Sequence, residues 1–530
     1  MLILLPILLL ILTALTLVIL RLARPNFKYS WLIAGGGAIL ALIAVLLWQL
    51  RLPQTLALPA WQLQAFFHYS PTWLADSVSW PYALGLTALA LAIILTSVVR
   101  ANANPMTWAG TFMLTALGLL TVTAENPLAL VLAWTALDLM ELVSMLLSVE
   151  GESQNEGVVV AFAARLAGTG LVIWASILSV TSGAWLSFSN VPARAGIYFL
   201  LAAGLRLGVL PLHLPYRHEN TLRRGFGSSL RMVSAASSLV LLARIPASAV
   251  NASLTPYLLT LTALAALYAG WMWMRASDEL TGRPYWLLGM ASLAVAASLR
   301  ANPTGSIAWG IALLLGGGYL FLNSARQRSL IWLSLFVLWG LTALPFSLTA
   351  SGWTMHSTYS GGTQISALFA QHLLGWILFL PAQALLMAGF FRHSSNVGET
   401  SLESQLPWVK VIYLLGLLLL PLSQVLLGLW GWEGARQVGV WWAALTALAL
   451  SAGLAWLSTK VLTRLTRPDA TSRWGDVLRL NWLYRAAWGI YRSLGQVSQV
   501  ITSTLEGDGG VIWSFIILLL ALSLLIPGIR

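Results

Sequence analysis

The sequence predicts an all-α polytopic membrane protein of about sixteen transmembrane helices, and three observations carry that prediction. Of 530 residues, 58% are hydrophobic and only 9% are charged. Soluble domains carry roughly 25% charged residues, so this chain has too few to cover a water-facing surface. The apolar residues come in runs of about twenty, the length that crosses a ~30 Å hydrocarbon core. The runs lack the dyad alternation of barrel strands, which leaves helices as the structure able to satisfy its own backbone in lipid. Many of the 27 Trp lie near run ends and are read as an interfacial belt.

Taken in order, the expected spans are 2–22, 31–50, 80–99, 107–124, 126–148, 158–180, 194–216, 226–248, 256–275, 284–299, 305–323, 329–349, 366–391, 409–429, 437–459 and 511–528. Gly316-Gly317-Gly318 interrupts the apolar pattern and makes the tenth and eleventh the weakest of these. The first run has no basic segment before it and no small-residue cleavage site after it, so it reads as a retained helix. Loops after odd-numbered spans carry most of the Arg and Lys, among them Arg24, Lys28, Arg100, Arg217, Arg223, Arg224, Arg283, Arg326, Arg328 and Arg392. By the positive-inside rule these loops are cytoplasmic and both termini lie on the outer side of the cell's inner (cytoplasmic) membrane. Between the last two spans, 473–505 places Trp474, Tyr484, Trp488, Tyr491 and Leu494 at helical spacing with Arg479, Arg485 and Arg492 between them. That pattern predicts an amphipathic lateral helix along the cytoplasmic interface, about 50 Å long at 1.5 Å per residue.

The formal charge of +12 is scattered singly through short loops, which is a topology signal and excludes a nucleic-acid-binding face. Absence of Cys excludes disulfides, iron–sulfur ligation and thiol chemistry in this chain. No nucleophile motif, phosphate-binding loop or dinucleotide fingerprint occurs, and no His/Asp/Glu group has metal-ligand spacing. No cofactor is expected in the chain.

Ionisable residues inside spans are costly in lipid and so mark candidate sites. Asp138 and Glu141 stand three residues apart on one face of the fifth span, at mid-membrane depth. The seventh span reads Gly204-Leu-Arg206-Leu-Gly208-Val-Leu-Pro211-Leu-His213. Pro211 removes a backbone donor and should break the helix just after the buried Arg206, and broken midplane helices are where transporters present helix ends to ions. An Asp138–Arg206 pair can equally be a static lock between helices. His213 and His372 are the candidates that titrate near neutrality, against the commoner role of membrane histidines as helix glue. Arg231, beside Ser234, Ser237 and Ser238 in the eighth span, can order water.

The order and spacing of these segments resembles the antiporter-like, proton-conducting membrane subunits of respiratory complex I and of Mrp-type cation/proton antiporters. In that family a Lys is followed five residues later by Pro and often seven later by His. Arg206, Pro211 and His213 keep the spacing. Asp76-Ser77-Val78-Ser79, the segment from Asn126 to Leu147, Asp278 with Tyr285, and Gly340-Leu-Thr-Ala-Leu-Pro345 fit as well, so that the resemblance covers about residues 70 to 392. In layout it is closest to subunit L of complex I, with a shortened lateral helix.

The resemblance implies two inverted five-helix repeats, each with a broken helix (at Pro211 and at Pro345), and a division into 1–105, 106–250 (first repeat), 251–393 (second repeat), 394–460, 461–505 (lateral helix) and 506–530 (terminal span). It implies a membrane-arm subunit of a complex I-type NADH–quinone oxidoreductase, contributing to or scaffolding proton translocation, whose partners are the other membrane subunits and the bilayer. Two alternatives stay open, an Mrp-like or bicarbonate-uptake-linked ion transporter subunit and a proton-inactive structural spacer. The family's relay uses lysines, whose pKa can move on desolvation. This chain has Lys only at 28, 410 and 460, outside the repeats, and Arg206 replaces the seventh-span Lys with a group that effectively cannot deprotonate.

Overall fold

The structure is a computed structural model. It describes residues 2–58, 70–99, 104–148, 152–181, 191–214, 224–246, 253–325, 330–353, 365–396 and 402–457, apart from a few isolated loop positions, with short pieces within 488–499 and 514–519. The chain divides into two compact units, Met1–Pro468 and Asp469–Arg530.

The first unit is a bundle of fifteen described α-helices: α1 (Leu4–Ala23), α2 (Ser30–Trp48), α3 (Ser79–Thr96), α4 (Pro105–Val122), α5 (Pro127–Ser148), α6 (Glu152–Thr181), α7 (Ala193–Arg206), α8 (Arg224–Arg244), α9 (Thr255–Arg275), α10 (Glu279–Leu299), α11 (Pro303–Leu322), α12 (Ile331–Trp339), α13 (Ile365–Ser395), α14 (Pro407–Leu429) and α15 (Trp441–Leu457). Each falls on one of the first fifteen expected spans, in order. Ten of the described helices are long and apolar enough to cross a membrane by length and composition. In the second unit, 514–519 is helical within the expected last span. Most of the expected lateral helix, 473–505, lies outside the described residues.

Local sequence explains three of the helix starts. Asn104, Asp278 and Asn302 cap α4, α10 and α11, each accepting from a first-turn N–H, and Pro follows at the first turn of α4 and α11. The glycine run that weakened the eleventh span on paper is an uninterrupted part of α11, which is buried along its length. Hydropathy reads glycine as a gap, whereas in a protein-enclosed helix it lets neighbours approach. A Cβ at Gly317 would overlap Met232 of α8 and Trp286 of α10.

The tryptophans divide between two settings: Trp174, Trp271, Trp332, Trp408, Trp441, Trp442, Trp456 and Trp488 are exposed, and others are buried. Trp48, Trp80, Trp134, Trp273, Trp286 and Trp309 are among the largest fully buried side chains. Each donates its indole N–H to a main-chain carbonyl on another segment: Leu2, Val45, Ser237, Leu386, Leu313 and Gly352 respectively, at 2.9–3.3 Å. A buried indole needs such a partner, and here it fastens one segment to the next.

The sequence reading gave no element to the loop between α2 and α3. It holds a two-stranded antiparallel ribbon, β1 (Gln54–Ala57) and β2 (Thr72–Ala75), with Gln54 opposite Ala75. Leu74 donates to the Thr123 carbonyl at 2.7 Å and Glu125 to that of Thr72 at 3.0 Å, which ties the ribbon to the α4–α5 turn.

Candidate charge cluster in the helix bundle

The α7 helix ends at Arg206, and the chain turns out of helical geometry before Pro211. The Gly204 carbonyl, whose helical partner would be the N–H of Gly208, instead receives the N–H groups of Val209 (2.8 Å) and Leu210 (3.1 Å). Gly208 adopts φ 76°, the left-handed region open to glycine. The break leaves Arg206 at the last turn of α7, with its guanidinium directed among α5, α6 and α8.

Arg206 is fully engaged there. Its Nη1 and Nη2 donate to the two Asp138 oxygens at 2.6 and 2.7 Å, a bidentate fork. Nη1 also reaches the Arg165 carbonyl at 3.1 Å and Thr169 Oγ1 at 3.3 Å, and Nε donates to Ser238 Oγ at 3.3 Å. The guanidinium lies over the Trp134 ring, 4.0 Å from its centroid. Both side chains of the pair are wholly buried.

Glu141, one turn along α5, has a different set of partners. It forms an ion pair with Arg165 of α6, and Arg231 Nη1 of α8 lies 3.8 Å from its other oxygen. Arg165 also donates to Ser234 Oγ at 3.1 Å. Ser234 and Ser238 therefore serve as acceptors for two arginines. Arg165 was absent from the candidates read in the sequence. The signal was available, because a lone Arg in the interior of an expected span falls under the rule that selected Asp138.

His213 lies just past the break, buried, with Nδ1 2.8 Å from the Pro211 carbonyl and Nε2 without a hydrogen-bond partner. It lines a cavity of about 60 Å³ together with Arg165, Arg206, Arg231 and Ser234, walled on the α10 side by Leu287 and Leu288. His372 belongs to α13, but its side chain lies outside the described residues. The structure therefore gathers Asp138, Glu141, Arg206, Arg231 and His213 around one point, and adds Arg165.

The second break follows α12. Between Gly340 and Trp353 the chain is irregular and includes Pro345, with Ala343 and Phe346 at φ 60° and 63°, a conformation that L residues hold only when their surroundings impose it. Thr349 Oγ1 donates to the Gly340 carbonyl at 2.8 Å and accepts from Ala343 N–H at 2.9 Å. Gln383 of α13 donates to the Leu341 carbonyl and accepts from the Trp353 indole, both at 2.9 Å. The side-chain hydrogen bonds described at this break come from neutral polar groups, and Arg300 at the end of α10 lies over the Trp353 ring, 5.8 Å from its centroid.

At opposite ends of the bundle lie two further pairs. Arg244, at the end of α8, holds Asp76 at 3.1 Å, and Arg224, at the start of α8, holds Glu279 of α10 at 2.6 Å.

Chemically, the first cluster cannot pass protons as a lysine relay does, because its cations are guanidiniums that stay charged. The groups in it that can exchange a proton are the two carboxylates and His213. Of these, Asp138 is clamped by a bidentate fork, Glu141 is paired with Arg165, and His213 lines the cavity. No metal-binding group of His, Asp and Glu occurs among the described residues.

No protein-family model and no curated protein matches the sequence. Solved structures do. A chain of the Mrp complex from Dietzia sp. DQ12-45-1b superposes with a TM-score of 0.73 at 14% identity, over 99% of this chain and 62% of that one. This chain thus spans less than two thirds of the Mrp chain it matches. A chain of the membrane-bound sulfane sulfur reductase, an archaeal respiratory membrane complex, matches with a TM-score of 0.65 at 14% identity, over 98% of this chain and 99% of that one. A chain of respiratory complex I from Thermus thermophilus matches with a TM-score of 0.57 at 19% identity, over 86% of this chain and 100% of that one. At these identities the likeness concerns the fold. In fold, the chain is similar to chains of the Mrp complex, the membrane-bound sulfane sulfur reductase and respiratory complex I.

Proposed function

We propose that this chain is an antiporter-like membrane subunit of a complex I-type respiratory assembly, in which the first half of the bundle carries a fixed charge centre in place of a lysine relay. One observation carries the reading: Asp138 and Glu141, one turn apart at mid-depth of α5, are both held by arginines from three other helices. A centre of this kind keeps its positive charges through turnover. Proton exchange there is confined to Glu141 and to His213 in the cavity wall, and Asp138–Arg206 acts as the lock between α5 and α7. The respiratory setting is supported by the end-to-end match with a chain of the sulfane sulfur reductase complex. The two broken helices, α7 and α12, are each fourth in a run of five, α4–α8 and α9–α13, which supports the two-repeat division at 106–250 and 251–393.

An Mrp-type ion-transporting assembly is the second reading, favoured by the higher TM-score of the Mrp chain. Gentle extraction of the chain from its native membrane, followed by mass spectrometry of what accompanies it, separates the two. Flavin- and iron–sulfur-bearing subunits are expected. A set composed only of membrane subunits would move the assignment to the Mrp type, and a companionless monomer would overturn both.

A further inference from the structure

A second cavity, of about 470 Å³, lies at the end of the bundle that holds the Asp76–Arg244 pair, bounded by the ribbon, the start of α5 and the end of α8. Its volume falls in the range of small-molecule sites. The wall is fastened by the chain itself. Asn126 Nδ2 donates to the Ser70 carbonyl and to Thr72 Oγ1, both at 2.7 Å, and Asn126 Oδ1 accepts from the Ala129 N–H at 2.9 Å. The Glu125 N–H donates to the Thr72 carbonyl at 3.0 Å, which fixes the point from which its side chain leaves the backbone.

Two groups in the lining are left for a ligand. The Arg244 side chain is only 7% exposed and directs Nη1 and Nη2 to the Asp76 carboxylate at 3.1 and 3.3 Å, but its Nε–H is buried with no acceptor. A buried donor in that state is costly and calls for an oxygen. The Glu125 carboxylate has no ion pair or hydrogen bond among the described residues. Since Asp76 balances Arg244, Glu125 gives the lining an uncompensated negative charge, which selects a cation. Leu74, Val78 and Phe188 form the apolar part of the wall.

Size and donor count narrow the cation. The space far exceeds the ~15 Å³ that one water occupies on this measure, and a single carboxylate is too small a ligand set for a hard metal ion. A primary ammonium can donate to the carboxylate, whereas a quaternary one has no N–H to give. We propose that this pocket binds a small primary ammonium compound that also carries an oxygen acceptor, with the ammonium on Glu125 and the oxygen on Arg244 Nε. Such a site works alike in either kind of assembly, because binding is measured without turnover.

The test uses the intact assembly in phosphatidylcholine nanodiscs, with radiolabelled 2-(2-aminoethoxy)ethanol as probe and equilibrium dialysis as the measurement. Saturable binding of one equivalent per chain is expected. Glu125→Gln keeps the shape of the side chain and should weaken binding by about tenfold or more, through loss of a charge-assisted contact. Hexylamine, of equal chain length but without oxygen, should bind wild type several-fold less tightly, a contrast that involves no change to the protein. The ammonium has two possible sources, a free solute and a lipid headgroup. Competition from phosphatidylethanolamine introduced into the nanodiscs assigns it to the headgroup, and undiminished probe binding assigns it to the solute. Absence of saturable binding, equal affinity in Glu125→Gln and wild type, or hexylamine binding as tightly as the probe overturns the site.

Discussion

Removing Arg206 should damage the protein as a structure before it damages any transport. In Arg206→Ala, Asp138 loses a bidentate partner at 2.6 and 2.7 Å in a site with no exposure. Breaking a buried pair by deleting one member costs about 3–5 kcal/mol, because the charge left behind is uncompensated. The stack on Trp134, at 4.0 Å, adds about 1–2 kcal/mol for a desolvated cation–π contact. At 1.4 kcal/mol per tenfold change, the pair term alone shifts the folded population by at least about a hundredfold. Total stability is only about 5–15 kcal/mol, so the variant should be recovered poorly and melt early. Adding Asp138→Asn should restore much of the loss, since the stranded charge goes with it, and the cycle of single and double variants isolates that coupling. Fluorescence-detected size exclusion after a heating series reads all three forms. The reasoning is refuted if Arg206→Ala assembles and melts like wild type while fewer protons move per electron pair, for then Arg206 works in the path and not as a lock.

Further expectations concern other parts of the bundle. Gln383→Leu strands the Trp353 indole N–H and the Leu341 carbonyl and should cost about 2–4 kcal/mol, seen as a lowered melting temperature with the oligomeric assembly intact. Burial pushes the Asp278 carboxyl up, but hydrogen bonds from the side chain and backbone of Thr281, from the Ser277 hydroxyl and from Leu280 outweigh it and hold its pKa below the usual carboxylate range. A folded-state pKa below the unfolded one means that this contribution is present above about pH 4 and fades as pH falls through the folded value. Asp278→Ala should therefore lower stability by about 1 kcal/mol at neutral pH and by less in acid, as melting curves across pH would record. A topology reporter placed at Arg224 or at Arg467 should read cytoplasmic, and a periplasmic signal at either would overturn the orientation drawn from the basic loops.

Helix order was legible because lipid-spanning segments announce themselves by length and apolarity alone, and so was the break after Arg206, since proline and glycine act locally. Partnership was harder to read. Asp138 and Glu141 look equivalent in the sequence, yet Asp138 pairs with Arg206 of α7 and Glu141 with arginines of α6 and α8, and helix rotation is decided by packing that one chain's sequence does not display. The tryptophans divide into exposed and buried sets for a related reason. A position near a run end suits an interfacial indole and an inter-helix anchor equally well, and the choice turns on whether another segment's carbonyl lies opposite. The ribbon at β1 and β2 escaped notice because two four-residue strands leave almost no periodicity to detect.

The enclosure of α11 has a mechanical consequence. Gly317 sits against Met232, the residue following Arg231, and Gly316 against Leu341, whose carbonyl Gln383 holds at the second break. With no side chain on either glycine, α11 is a smooth rod gripped from both sides, and a press from one side has no soft lipid in which to dissipate. A displacement of α8 that accompanies any change at the charge centre has a short, stiff route of side chains across that rod to the other broken helix. Small-to-large changes at Gly316 or Gly317 would therefore act like a wedge in a linkage, altering how far one half of the bundle can feel the other even though neither glycine carries charge.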